Sequence, residues 1–348
     1  MRFSIRLLII VAFALLLSSP RIISKGSADS GANHQGRSSL FGVSGGNVND
    51  ITKRFCCSGT LGALVTDGTT SYVLSNNHVL GLSGKANVGD DISQPGRIDN
   101  NCQTPPIVAD FTIAAPLGPS NVDAAIAQLR PGAMDANGTI LDIGIPSSVV
   151  MSPSVGLSVA KSGRTTGFTT GTIASINTSV NVQYQASCGQ GKKFVVSYTN
   201  QVVINSSTFS AGGDSGSLIV TASNHQPVAL LFAGSSTTTI GNPIGDVLTQ
   251  LSNTLGRTVS FVGSTQASSM TTLANLQDVE RATQVKNRHQ QRMMSLPDVF
   301  GMGVTLDDDG HAAVVIYADR GAGLISALPE YLEDVKVKVV HTGAFVAR

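Results

Sequence analysis

Between residues 58 and 262 the apolar residues come in short runs, each broken by Gly, Ser, Thr, Asn or Asp. Leu61 to Val65, Ser71 to Leu74, Thr169 to Ile176, Phe194 to Tyr198, Gln201 to Ile204, Ser217 to Val220 and Val228 to Phe232 read as strands. Helical periodicity is scarce before residue 245, so this stretch predicts a β-sandwich or paired β-barrels. After residue 270 the pattern changes. Leu273, Leu276, Val279, Ala282, Val285 and His289 recur every three or four residues, as on one face of a helix, with Thr271 or Thr272 as its cap. Val299 to Leu306, the acidic turn Asp307 to Gly310, and Ala312 to Tyr317 predict strand, turn and strand. A short helix over 324–331 and a strand from Val335 to Val340 complete the expected set.

The N-terminus adds an address. Arg2 and Arg6 precede an apolar run from Leu7 to Leu17, followed by Ser18, Ser19 and Pro20. A positive flank, a short apolar stretch and a polar exit describe a secretory signal, and the run is too short to span a bilayer comfortably. The shifts in pattern divide the chain into a signal peptide (1–28), a flexible leader (29–50), a β-rich domain (51–262), a linker (263–270) and a small α+β accessory domain (271–348). Export makes the expected location secreted, periplasmic or otherwise extracytoplasmic, with no membrane association after signal removal.

The 348 residues are 41% hydrophobic and only 13% charged, enough for a large core. A net charge of +1 gives no electrostatic case for a nucleic-acid partner or an anionic membrane. Export permits disulfides between the four cysteines, Cys56, Cys57, Cys102 and Cys188. Four cysteines allow three full pairings; adjacent Cys56 and Cys57 would close a strained ring, and Cys57 with Cys102 is the preferred pair. Histidines and cysteines lack the clustered spacing of a metal site, so no metal and no cofactor is expected.

Three motifs carry chemistry. Gly212-Gly213-Asp214-Ser215-Gly216-Ser217 places a serine among glycines. A serine hydroxyl needs a positioned base, and a developing oxyanion needs backbone N–H groups aimed at it; Gly213 and Ser215 are the expected donors. Tyr72 to Leu74 runs as an apolar strand into Ser75-Asn76-Asn77-His78, a turn that presents one histidine able to accept and return a proton near neutral pH. Asn121-Val122-Asp123 places one carboxylate at the head of an apolar strand, where burial demands a partner; an imidazole N–H suits it. Asp99 and Asp110 are its rivals, without so consistent an apolar strand behind them.

Together His78, Asp123 and Ser215 resemble the catalytic triad of the chymotrypsin-like, trypsin-fold serine peptidases, in the same chain order. Lys161 to Gly167 with Gly171 to Ile173 resembles the opening of the second barrel in bacterial streptogrisin-type members, and Leu230 to Gly234 with Gly241 to Ile244 resembles the strand and loop lining the substrate pocket. The resemblance spans roughly residues 56 to 255 and is closer to bacterial trypsin-like and plant Narrow Leaf-type proteins than to digestive enzymes. It implies a mainly β fold of two packed antiparallel β-barrels, followed by the small α+β domain. It also implies peptide-bond hydrolysis of peptides or proteins without a cofactor, and a pocket at Phe209, Phe232, Ala233 and Gly234.

Departures from the pattern modify the expectation. Val79 and Leu80 follow the histidine where relatives often carry a cysteine. Phe232 stands near the place of a strand serine, which would remove one hydrogen-bond donor to Asp123. Phe209 stands where trypsin-like members have an aspartate, so apolar or small substrate side chains are expected. The alternatives are a catalytically weak or self-processing protein that uses the fold as a binding scaffold, and an esterase on the same triad. The C-terminal module is expected to fold against the protease and restrain or assist it.

Overall fold

The structure is a computed structural model that describes residues 34–263, 276–319 and 328–347. The signal peptide, most of the linker, the proposed cap at Thr271 or Thr272 and the first half of the short helix over 324–331 lie outside the described residues; the second half of that expected helix, 328–331, is not helical, and Tyr331 instead opens a short strand.

The first sheet collects the β-runs of the N-terminal half. Its members are β1 (Val43–Asn47), β2 (Gly59–Leu61), β3 (Ala63–Thr66), β4 (Ser71–Ser75), β5 (Asp91–Ser93), β6 (Ile107–Ala114) and β7 (Ala125–Leu129). One-turn helix α1 (Asn77–Leu80) follows β4. The next six strands are β8 (Ser158–Gly163), β9 (Gly167–Ser187), β10 (Gln190–Asn205), β11 (Leu218–Thr221), β12 (Pro227–Gly234) and β13 (Thr238–Pro243). They pair in the order β10-β13-β12-β11-β8-β9, and β9 pairs back to β10. The second expected barrel therefore closes, while the far ends of β9 and β12 run on past their pairing with β8 and β11. Helix α2 (Ile244–Leu255) follows and ends at Gly256, in the left-handed conformation at φ 73°. The chain then returns through β14 (Ser260–Phe261) to the first sheet, a half-barrel in the order β14-β3-β4-β7-β6-β5-β1-β2.

One apolar core joins the two sheets. Leu61, Leu64, Val73, Leu74, Val108 and Ile126 of the first pack in the same cluster as Ala160, Leu218, Val220 and Leu230 of the second, with Ile244, Val247 and Leu251 of α2 beneath. The apolar run of β12, buried at all eight positions, reflects its place inside the barrel wall.

The C-terminal pattern folds as its periodicity predicts. Helix α3 (Leu276–Met294) buries Ala282, Val285 and Met293 against β15 (Val299–Leu306) and β16 (Ala312–Ala318). Leu276, expected on the inner face, is 66% exposed. The segment β17 (Tyr331–Leu332) and β18 (Val335–His341) completes this layer, with β18 parallel to β16. Strand β15 pairs antiparallel with β9, so this layer continues the second sheet. The last strand, β19 (Phe345–Ala347), pairs with both β12 and β9.

The cysteine expectation is corrected. Cys56 is bonded to Cys102 and Cys57 to Cys188, in place of the expected Cys57–Cys102. Adjacent side chains on an extended backbone point to opposite sides, so each of the two neighbours reaches a different loop. Cys56 meets the loop after the 3-10 turn Arg97–Asn100, and Cys57 meets the tip of the β9–β10 hairpin.

Candidate active site

Strand β4 runs into Asn76, whose backbone leaves the sheet at φ −86° and ψ 157° and turns directly into α1. This delivers His78 to the junction of the two sheets. Asn77 holds the turn by donating to Ala115 O at 2.8 Å and accepting from Gly84 N at 2.8 Å. Asp123, just before β7, is fully buried. Its backbone is clamped from both sides: Asn76 Nδ2 donates to its carbonyl at 2.6 Å, and its N–H donates to Asn242 Oδ1 at 2.9 Å. Its carboxylate then grips His78 twice, accepting the backbone N–H on Oδ1 at 3.1 Å and meeting Nδ1 with Oδ2 at 2.6 Å. The rivals are engaged elsewhere. Asp99 forms a two-pronged bond with Arg164, and Asp110 pairs with Arg130.

The expected loss of a donor to Asp123 is made good from a place the sequence did not signal. Tyr184, on β9, donates its hydroxyl to Asp123 Oδ2 at 2.9 Å, and Tyr198 on β10 meets the same hydroxyl at 2.7 Å. Burial, reinforced by the neighbouring Asp123 charge, holds the Tyr184 phenol well above its ordinary range, so it remains a donor. Phe232 occupies the space beneath: its ring packs edge-on against Tyr198 at 5.0 Å. Its carbonyl accepts the Ser215 hydroxyl at 3.2 Å. A continuous set of contacts thus joins Ser215 to the His78–Asp123 pair through Phe232, Tyr198 and Tyr184.

The serine loop is built around Asp214. Its carboxylate accepts the N–H groups of Thr165 and Ala211, each at 2.8 Å, and lies 3.7 Å from Lys161 Nζ. Both ionic groups are fully buried. Burial pulls the Lys161 ammonium down to about 8, with Asp214 opposing the shift. Gly213 and Gly216 adopt φ 100° and φ 95°, the region that favours glycine, and a Cβ on Gly216 would lie 2.2 Å from Thr60 O. Thr60 of β2 ties the loop to the first sheet, donating its N–H to Ser215 O at 2.8 Å and its hydroxyl to Gly213 O at 2.9 Å. Among the described residues the N–H groups of Gly213 and Ser215 donate to no protein acceptor.

Two cavities flank the loop. One, of about 390 Å³, lies between the His78 turn and the β9–β10 tip, and includes Asp50, Lys85, Tyr184 and Gly213 in its lining. Burial pushes the Asp50 carboxyl up to about 6, the charges of His78 and Lys85 acting in the other direction. Asp50 also groups with Cys57 and Cys188, whose sulfurs are taken up by their disulfide. The other cavity, of about 550 Å³, is lined by Ser207, Ser210, Ala211, Gly212, Ser235 and Ser236 together with the 343–347 segment. Phe209, expected in a substrate pocket, is instead fully buried in the barrel core beside Ile173, Val202 and Ile204. Of the other pocket candidates, Ala233 and Gly234 pair with β19, and Phe232 faces the inner cluster.

The sequence pattern of Peptidase family S64 matches residues 69–236, a segment that contains His78, Asp123 and Ser215. No curated protein matches the chain. Among solved structures the chain is similar to a glutamic acid-specific serine protease described as using a histidine triad in substrate binding, with 22% identity, a TM-score of 0.44 and coverage of 64% of this chain and 99% of that one. Protease A of Thermobifida fusca matches at 19% identity and a TM-score of 0.42, over 65% of this chain and 100% of its own. Cellulomonas bogoriensis chymotrypsin matches at 15% identity and a TM-score of 0.42, over the same shares. The peptidase-family match, on a half-barrel and a closed barrel sharing one core, makes this chain a serine-type peptidase of the trypsin fold.

Proposed function

We propose that the protein is an exported serine endopeptidase working through His78, Asp123 and Ser215. The observation that carries this reading is the fully buried Asp123 carboxylate holding His78 by both its backbone N–H and its Nδ1. That arrangement fixes the imidazole tautomer, so that Nε2 is the basic atom. Ser215 Oγ attacks the substrate carbonyl carbon and its proton passes to His78. The N–H groups of Gly213 and Ser215, left without a protein acceptor at the glycine-permitted turn, take the negative charge that forms on the carbonyl oxygen. His78 then protonates the leaving amine, and water releases the acyl group by the same steps in reverse order. Two disulfides support an oxidising, exported setting. The described helices include none long and apolar enough to cross a membrane. The serine- and glycine-lined cavity beside the nucleophile loop has no charged residue in its lining, which supports small or uncharged substrate side chains.

The test is covalent labelling with a fluorophosphonate probe, which reacts with an activated serine. The protein is expected to label, and Ser215→Ala and His78→Ala to lose labelling. Equal labelling of wild type and Ser215→Ala would refute the assignment.

A further inference from the structure

Strand β19 is an unusual barrel neighbour. It lies antiparallel to β12, with Ala347 opposite Ala233 and Val346 opposite Gly234. On its other side it lies parallel to β9, with Phe345 opposite Val182 and Val346 opposite Gln183. It therefore fills a slot one strand wide between β12 and β9. The chain reaches that slot from β18 through Thr342, whose hydroxyl meets Ser235 Oγ at 2.6 Å and whose N–H donates to Ala318 O at 2.9 Å. Phe345 anchors it. Its ring is 1% exposed and packs edge-on against Tyr317 at 6.0 Å and Phe300 at 6.3 Å. Val346, by contrast, is 37% exposed. Ala347 lines the cavity that also contains His78 and Gly213.

The register has a chemical meaning. A peptide lying where β19 lies, and continued by one residue past the Ala347 position, would present that next residue opposite Phe232. The Phe232 carbonyl is the group that accepts the Ser215 hydroxyl. A strand in this slot thus runs straight into the nucleophile, which is what an extended peptide must do to be cleaved. A small residue at the Ala347 position faces the catalytic cavity, and two residues before it an aromatic ring fills the apolar hole between Tyr317, Phe300 and Val182.

We propose that Phe345–Ala347 is an intramolecular competitor that occupies the peptide-binding slot of the peptidase, and that the slot selects extended peptides carrying a large apolar residue at the Phe345 position. The proposal rests on the serine-peptidase reading above. Substrate enters only when β19 leaves, so the resting protein is restrained by the fraction of time the slot is filled. The Tyr317–Phe300 hole is formed in part by β15 and β16, which gives the C-terminal layer a part in substrate selection.

The test uses the full chain. Val346→Pro removes a backbone N–H from the paired strand at a partly exposed position, and Phe345→Ala removes the anchor. Peptide hydrolysis and fluorophosphonate labelling are measured for both variants and the wild type. Val346→Pro is expected to raise kcat/KM at least about tenfold, with Phe345→Ala in the same direction. A synthetic amide of the 343–347 sequence is expected to inhibit the variants competitively, and its Phe-to-Ser analogue to inhibit them far more weakly. Unchanged kcat/KM in whichever variants fold, with all forms labelling normally, would overturn the competitor while leaving the peptidase intact. Absence of labelling and hydrolysis in every form would remove the peptidase reading itself, and this proposal with it. Equal inhibition by the two amides would overturn the selectivity of the slot.

Discussion

Tyr184→Phe isolates the part of the site that departs most from the expected pattern. The substitution deletes one oxygen and keeps the ring, which stacks on Phe194 at 5.4 Å. What is lost is the hydroxyl bond to Asp123 Oδ2, made at 2.9 Å to a carboxylate with no solvent to replace it, together with the weaker neutral bond to the Tyr198 hydroxyl at 2.7 Å. A hydrogen bond to a charged group contributes about 1.5–3 kcal/mol. If that support is felt mainly when His78 becomes positively charged in the transition state, kcat falls about 10- to 100-fold and KM changes little. Tyr198→Phe breaks only the hydroxyl–hydroxyl bond at 2.7 Å, worth about 1 kcal/mol, so a loss of about fivefold is expected. The assay is steady-state hydrolysis of a peptide ester, with urea unfolding of each variant as the control for global stability. A Tyr184→Phe enzyme within twofold of wild type in kcat would refute the idea that this hydroxyl orients the aspartate. A fall in kcat that merely tracked a fall in unfolding midpoint would refute it equally.

Lys161→Met strands the buried Asp214 charge and is expected to destabilise the fold by about 3 kcal/mol, with the double variant Lys161→Met/Asp214→Asn less damaged than the sum of the singles; additive losses in urea unfolding would contradict this. Asp50 supplies a pH test. Its folded value, raised from 3.8 to about 6, means its stabilising contribution is fully present below pH 3.8 and is lost as pH rises through 6. The shift corresponds to at most about 3 kcal/mol, nearer 1–2 with screening by water in the cavity, so Asp50→Asn should gain on wild type by that much between pH 4 and pH 7. A stability difference that stays flat across that range would rule this out. Cys188→Ser opens a cross-link spanning 131 residues and releases the hairpin tip that carries Tyr184 toward the site. A stability loss of about 2–5 kcal/mol is expected by calorimetry, with a larger fractional loss of activity than Cys102→Ser; the opposite order would refute the link between the tip and the site.

The strand runs, the C-terminal helix and the three chemical motifs were legible because each is local: alternation, three-to-four spacing, or a glycine-flanked serine. His78 and Asp123 could be nominated because a lone polar residue at the end of an apolar strand has few cheap ways to be buried. Tyr184 could not. It lies 61 positions from Asp123 on a long strand with ordinary alternation, and only the closing of β9 against β10 aims its hydroxyl at the carboxylate. Phe209 misled for a related reason: its distance from Ser215 matched a pocket position, while its side chain served the barrel core. The disulfides were beyond local reading because pairing depends on which loops meet in three dimensions. The place of β19 was likewise invisible, since a three-residue strand carries almost no periodic signal.

Strand β19 also alters how the molecule meets other molecules of its kind. With the slot filled, the backbone groups of β12 and β9 that face it are paired from within. Emptying it turns an interior position of the sheet into two facing edges, each a row of unsatisfied N–H and C=O groups beside apolar side chains. Such edges recruit any extended chain in reach, including a neighbour's. An opened form is therefore sticky as well as accessible, and its lifetime sets a solubility limit as much as a catalytic one. The last strand of this chain is, in that sense, a safeguard against aggregation built from only three residues.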